Sequence, residues 1–234
     1  MTRWMRWLIA RLAAGLILAQ LGMAHADLKE SRAACRSASF NKTLNADPSS
    51  DGWRNCPAHL LVDTATGARP QQATTVRFGW TADEWRVLFV CTDSEPRATM
   101  TERDALLYEE EVVELFIDPT GDAESYFEIE VNPLNAVLDL VLRKNRSGYA
   151  KNVAWNCEGL RTHVRRTADG WAVELAIPFR SLIAEPPKAG AKWRVNFCRI
   201  DRPAGQPREL SAWSPTGVPL FHVPGRFGWI EFTK

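Results

Sequence analysis

The chain is poor in the residues on which most metal and redox centres are built. Its 234 residues include only four His and four Met. After the first 26 residues the histidines are His59, His163 and His222, too far apart in sequence for a zinc pair. Neither Cys-x-x-Cys nor Cys-x-x-Cys-His occurs, which excludes a thioredoxin-type motif and covalent haem attachment. There is no Lys/Arg run, no low-complexity segment and no internal repeat. A formal charge of +1 provides no basic surface for a nucleic-acid backbone or an anionic membrane. No apolar stretch approaches the roughly 20 residues that span a bilayer. Helix-period segments are almost missing; the one short candidate covers residues 179–184 and is stopped by Pro186-Pro187.

What is present begins with an address. Arg3, Arg6 and Arg11 flank and precede the apolar run Leu12 to Leu21, and Ala24-His25-Ala26 offers small residues to a signal peptidase. Residues 1–26 are therefore expected to be a cleavable leader, and the product to be secreted or periplasmic with no membrane attachment. Cleavage before Asp27 leaves 208 residues, expected as one domain, 27–234. Three Arg leave with the leader, so 26 basic residues face 28 acidic ones, a net charge of −2. All five Cys remain. Export permits disulfides, and an odd count leaves at least one Cys unpaired. Cys35 and Cys56 are the natural candidate pair, both lying in the irregular N-terminal stretch. Cys91 and Cys198 read as small buried residues.

The dominant signal is strands. Residues 74–80, 85–92, 111–118, 125–132, 136–143, 160–167, 171–178, 192–200 and 227–233 are rich in Val, Ile, Phe and Trp and bounded by Asp, Asn, Gly and Pro. Residues 80–85 and 167–171 read as hairpin turns. Many short strands with little helix predict an all-β, two-sheet antiparallel β-sandwich of the Ig-like or jelly-roll-like kind. Residues 27–72 are less regular and are expected to wrap an edge.

The side-chain period of two sorts each strand into faces. Val113, Leu115 and Ile117 belong to one side, as do Phe127, Ile129 and Val131; Trp171, Val173, Leu175 and Ile177; and Trp193, Val195 and Phe197. The other side carries Glu114, Glu128, Glu130, Asn132, Glu174, Arg194 and Asn196, which reads as one shared, solvated face. Carboxylates gathered on a sheet repel, and they need Arg, a cation or hydroxyl donors between them. A sugar supplies hydroxyls.

Several segments occur in an order that resembles a known family. They are Val76-Arg-Phe-Gly-Trp80, Trp85-Arg-Val-Leu-Phe-Val-Cys-Thr-Asp93, the run Glu102 to Pro119, Tyr126-Phe-Glu-Ile-Glu-Val-Asn-Pro133, Gly170-Trp-Ala-Val-Glu-Leu-Ala-Ile-Pro178, Trp193-Arg-Val-Asn-Phe-Cys-Arg199, Ser211-Ala-Trp-Ser-Pro215 and the run Phe221 to Gly228, with Trp53 ahead of them. Together they resemble the family 9 carbohydrate-binding modules and the wider DOMON-like sandwiches. The resemblance implies a module that binds without hydrolysing, often with structural calcium, and that clamps a sugar end between two aromatic rings. The clamp positions fall on Tyr108 and Phe221, where the family has Trp. Glu114 and Asn132 match family polar residues. Glu130 stands where a sugar-contacting Arg is found, exchanging a donor for an acceptor. Arg103 completes the candidate ligand set as a partner for Glu111 or Glu114, and Trp155 and Trp213 are reserve loop aromatics. Trp53, Trp80, Trp171, Trp193 and Trp229 read as core.

This predicts a carbohydrate-binding protein associated with carbohydrate catabolism and with a partner glycoside hydrolase. Two alternatives stand beside it. One is a haem-binding DOMON-type electron-transfer domain, with Met100 paired to His222 or His163. The other is a glycoside hydrolase that uses Glu114, Glu128 or Glu130. For calcium, Asp118, Asp122 and Glu124 flank an oxygen-rich turn but lack the spacing of a defined loop, which favours a polar hairpin.

Overall fold

The computed structural model describes residues 28–234, so the leader reading of residues 1–26 lies outside the described residues. In chain order the strands are β1 (Arg32–Ser37), β2 (His59–Leu60), β3 (Val62–Asp63), β4 (Thr74–Trp80), β5 (Glu84–Thr92), β6 (Val112–Asp118), β7 (Ser125–Val131), β8 (Val137–Asn145), β9 (Gly148–Asn152), β10 (Arg161–Thr167), β11 (Gly170–Pro178), β12 (Lys192–Asp201), β13 (Glu209–Ala212) and β14 (Gly228–Thr233). Each run predicted as a strand is one, within two residues at either end. The helical candidate contracts to a 3-10 turn, Phe179–Ser181.

Hydrogen bonding orders the strands β10-β11-β5-β4-β1-β14-β12-β6-β7-β8-β9, with β13 beside β12, β2 beside β4, and β3 beside β13. The path curls into two layers around one core. The predicted inward residues of β6, β7, β11 and β12 all enter that core, together with Val76, Phe78, Trp85, Val87 and Phe89 of β4 and β5. Phe197 of β12 ties the layers together: its ring lies 5.0 Å from Phe78, 5.9 Å from Trp85 and 6.0 Å from Phe89. Each such side chain contributes about 1.5–3 kcal/mol by leaving water. The β10–β11 hairpin closes at Gly170, whose φ is +149° and where an added Cβ would lie 2.1 Å from the Cys91 carbonyl oxygen. Only glycine permits that approach.

The N-terminal stretch departs from expectation. Instead of wrapping an edge, β1 inserts between β4 and β14 and runs parallel to both. Its sequence, Arg-Ala-Ala-Cys-Arg-Ser, lacks the branched and aromatic residues that mark strands, so pairing by two neighbours creates it. The following segment packs Ala46, Trp53 and Cys56 over Leu88 and Ala172, on the outside of the β5–β11 layer. This separates the candidate disulfide pair. Cys35 faces the central core and Cys56 the outer cluster, and all five cysteines are buried free thiols. Burial pushes the Cys91 thiol up to about 11 and the Cys157 thiol up to about 12, so neither is a reactive thiolate.

Candidate functional site

The reverse side of the β12-β6-β7-β8 sheet carries a second apolar cluster. Val112 and Phe116 of β6, Tyr126 of β7, Leu138, Leu140 and Leu142 of β8, and Cys198 and Ile200 of β12 all point there. Leu107, Phe221 and Phe227 cover them from the loops. The face read as solvated is therefore dry, because two loops close over it, a contact that strand periodicity does not contain.

Into this dry face alternation delivers three carboxylates. Glu114 of β6 lies directly opposite Glu130 of β7, and Glu128 is two residues along the same strand. Glu114, Glu128 and Glu130 are 3%, 1% and 0% exposed. One oxygen from each lies within 4.8 Å of the others. Both oxygens of Glu130, Oε1 of Glu114 and Oε2 of Glu128 have no hydrogen-bond partner among the described residues. Burial is the main force on their protons, and it raises all three. Glu114 and Glu130 move well above the carboxylate range, further driven by neighbouring negative charge, and Glu128 moves up to about 7.

Positive charge near the triad is sparse. His222 Nε2 lies 3.9 Å from Glu128 Oε1, and its Nδ1 is 2.9 Å from the Tyr126 hydroxyl. Burial pushes the imidazole down to about 4, so His222 is neutral near pH 7 and does not compensate the acids. Lys151 of β9 favours the ionised form of each Glu from a distance, yet its ammonium sits over the Tyr108 ring, 5.5 Å from the centroid. Beside the cover runs an open groove of about 350 Å³, lined by Thr64, Gln71, Arg208, Leu210 and Pro219. It shares Leu210 with the cluster, and the Arg208 charge acts on Glu114.

The structure places the remaining candidates as follows. Tyr108 is half-buried in the 3-10 turn Leu107–Glu109 at the rim of the face. Phe221 is 6% exposed and packs 6.3 Å from the Phe116 ring, inside the cover. Asn132 is committed to the β7–β8 turn. Its Nδ2 donates to the Met100 carbonyl at 2.8 Å, while its Oδ1 accepts from Leu134 N and Ala136 N. Arg103 neutralises neither Glu111 nor Glu114, contrary to expectation. Asp104 N bonds the Val137 carbonyl and docks that segment along β8, which directs Arg103 Nη2 onto Asp139 Oδ1 at 2.6 Å and its Nε onto Asn156.

The shared polar face is also divided. Glu174 lies on β11, separated from β6 by five intervening strands in the path, where it pairs with Arg86 at 2.5 Å and accepts from Asn45 N and Ala46 N. Arg194 stacks on Trp229 at 4.7 Å and donates to the Gly225 carbonyl. Asn196 holds Ser214 through two hydrogen bonds of 2.9 Å. Trp213 is core, 5.5 Å from Phe197. Trp155 stacks on Phe127 at 4.8 Å beside an open groove on the core side of β7. Trp171 and Trp193 are core as expected, Trp53 is buried in the outer cluster, and Trp80 and Trp229 are half-buried at the edge.

Nor does the turn at 118–124 fit a metal. Asp118 Oδ1 accepts from Thr120 N and Gly121 N, and its Oδ2 accepts from Ala123 N, so the carboxylate is spent on closing the hairpin. For haem, His163 is exposed on β10, at the far end of the strand path from the face that Met100 touches. A Met100–His163 axial pair is not assembled. His222, Lys151 and Tyr126 were not singled out by sequence reasoning as members of the acidic face. Only Tyr126 left a trace, by sharing its alternation with Glu128 and Glu130.

A second acid group lies near one end of the sandwich. Asp93, Glu111 and Asp201 offer oxygens within 4.8 Å of one another. Arg199 Nη2 donates to Asp93 at 2.7 Å and to Asp201 at 2.6 Å, and Nη1 donates to the Thr92 carbonyl at 2.8 Å.

Fold and face together define a two-layer β-sandwich module whose loops close over one acidic sheet face. The chain belongs to carbohydrate-binding family 9, whose model matches residues 61–232. A proposed carbohydrate-binding protein from Bacteroides uniformis superposes with a TM-score of 0.71 at 18% identity, covering 87% of this chain and 100% of that one. A family 9 module from Caldicellulosiruptor kristjanssonii in complex with cellotriose gives 0.65 at 16% identity, covering 87% and 94%. A family 9 module from the same organism in complex with glucose gives 0.62 at 15% identity, covering 87% and 96%. At these identities the likeness carries the fold. No curated protein matches the chain in sequence.

Proposed function

We propose that this protein is an exported carbohydrate-binding protein that takes a sugar or glycan end onto the outer face of the β12-β6-β7-β8 sheet. Its role is to capture ligand in carbohydrate catabolism, alongside a partner glycoside hydrolase. The observation that carries the reading is the family match across residues 61–232. The face supports it chemically. Tyr108 and Phe221 offer ring surfaces to a pyranose, and Glu114 and Glu130 offer acceptors for its hydroxyls. Asn132 and Arg103 act one step back, by fixing the turn and the segment that border this face. Hydrolysis would need two carboxylates open to one glycosidic bond, and all three are covered. Because Phe221 is part of the cover, binding requires that loop to move.

The test is a thermal-shift and titration series on the protein with glucose, cello-oligosaccharides and other glycans. A ligand that binds only the folded state raises Tm by mass action. The expected result is a sugar-dependent rise, with affinity reduced about tenfold in Tyr108→Ala, the equivalent of ~1.4 kcal/mol. Wild-type affinity retained in Tyr108→Ala at every ligand bound would remove the site. For export, mass spectrometry of the mature product is expected to find Asp27 at its N-terminus.

A further inference from the structure

We propose that the groove at the open mouth of the sandwich is a second ligand site, and that it takes an acidic sugar, a pyranose carrying a carboxylate. The groove lies on the opposite side of β7 and β8 from the covered face. Among the described residues β9 pairs only with β8 and β10 only with β11, so the two layers are not sealed to each other where the strand path ends. Residues 153–160 connect β9 to β10 and bring Trp155 onto Phe127, with 4.8 Å between ring centroids. The resulting groove has a volume of about 530 Å³, inside the roughly 300–1,000 Å³ typical of small-ligand sites. Both layers line it: Ser125, Phe127 and Arg143 from β7 and β8, and Ser181 from the turn after β11.

Alternation accounts for what stands there. Phe127 leaves β7 on the core side with Ile129 and Val131, yet unlike them it is only half-buried, and Trp155 beside it is half-buried too. Two aromatic rings at the mouth offer apolar surface that suits the C–H-lined face of a pyranose. Charge then selects among sugars. At the rim Lys144 and Glu124 neutralise each other at 2.6 Å. Arg143, one position earlier on β8, is exposed and forms no ion pair among the described residues, although it lines the same groove. A guanidinium holds a carboxylate through two parallel N–H bonds. Ser125 stands directly opposite Arg143 across the β7–β8 ladder, and its hydroxyl and the indole N–H of Trp155 supply further donors for ring hydroxyls. Ring surface and an unpaired guanidinium in one groove therefore fit a uronate better than a neutral sugar. That a sugar carries the carboxylate rests on the carbohydrate-binding reading of the chain; the place of the site does not.

The experiment titrates the protein calorimetrically, at low salt, with trisaccharides of galacturonate, glucuronate and mannuronate and with their methyl esters, in which the carboxylate charge is gone. At least one acidic trisaccharide is expected to bind, and its methyl ester to bind about fivefold more weakly. Trp155→Ala is expected to lose about tenfold in affinity. Arg143→Gln, at an exposed strand position, is expected to lose about fivefold. Tyr108→Ala is expected to keep the wild-type affinity for the acidic sugar. If Trp155→Ala does not fold, Arg143→Gln decides alone. The proposal is overturned if no acidic trisaccharide binds, if the ester binds as well as the acid, if Arg143→Gln retains full affinity, or if Tyr108→Ala abolishes binding. Absence of acidic-sugar binding leaves neutral-sugar binding at the covered face untouched, and loss in Tyr108→Ala moves the acidic sugar to that face. Acidic-sugar binding that survives Tyr108→Ala, in a protein that takes no neutral sugar, keeps this site while the covered face fails.

Discussion

Two buried acid groups lie along the same sheet, and they are completed differently. Around Arg199, Asp93 and Asp201 each receive a guanidinium hydrogen bond, and the same Arg ties down the Thr92 carbonyl. On the covered face, Glu114 and Glu130 receive no such bond from the described residues. In the first group Arg199 pairs two of the three acids, while both oxygens of Glu111 and Oδ2 of Asp201 have no hydrogen-bond partner among the described residues. The second has no such partner among the described residues. The Arg199 group is not perfectly balanced, since burial lifts Glu111 to about 8, with the nearby Asp93 adding to the rise.

The largest effect should come from breaking the completed group. Arg199→Met removes the guanidinium that two buried acids share, and is expected to cost about 3–5 kcal/mol, read as a lower urea midpoint. A neutral outcome would erase the distinction between the two groups.

The second effect is on pH. Glu128 and Glu111 titrate near 7 and 8 in the fold against 4.5 when unfolded. A raised carboxylate binds its proton more tightly in the native state, so its stabilising contribution is full below the unfolded value and is lost as pH rises through the folded one. The protein should therefore lose stability between about pH 5 and pH 8. Glu84 and Glu110, held low by their partners, act in the opposite sense, and do so at more acid pH. Glu130→Gln should flatten the decline by removing one of the acids whose proton burial holds in the fold. A stability curve that rises over this interval would contradict the raised values.

The smallest effect sharpens the comparison from the side. Arg103→Ala strips Asp139 of its partner, but Asp139 keeps the Cys157 N–H at 2.8 Å and Arg103 is half-exposed. The expected cost is about 1 kcal/mol in urea unfolding. A loss as large as that of Arg199→Met would mean that exposure does not protect this pair.

Much of the architecture was legible in the chain because strand periodicity is local. Val113, Leu115 and Ile117 announce their side of the sheet within seven residues, and the core cluster contains them as read. Glu114, Glu128 and Glu130 announce a common side in the same way. What stayed hidden depends on neighbours distant in sequence. Strand β1 has no strand-like composition and exists because β4 and β14 flank it. Glu174 has the same alternation as Glu114, yet strand order puts it on another layer with Arg86. Alternation tells which way a side chain leaves its own strand, and cannot tell which strands lie side by side.

Sequence by itself determined that this protein is a strand-built sandwich with acidic residues set against its hydrophobic side, since both follow from a period of two and from residue type. Only the tertiary structure decided that the acidic face is dry, that Arg103 is engaged by Asp139, and that among the described residues one acid group is paired with an arginine and the other is not. Those outcomes rest on loops that close over a sheet and on which charges meet there. Desolvation and pairing are properties of the assembled surroundings, and no single segment carries them.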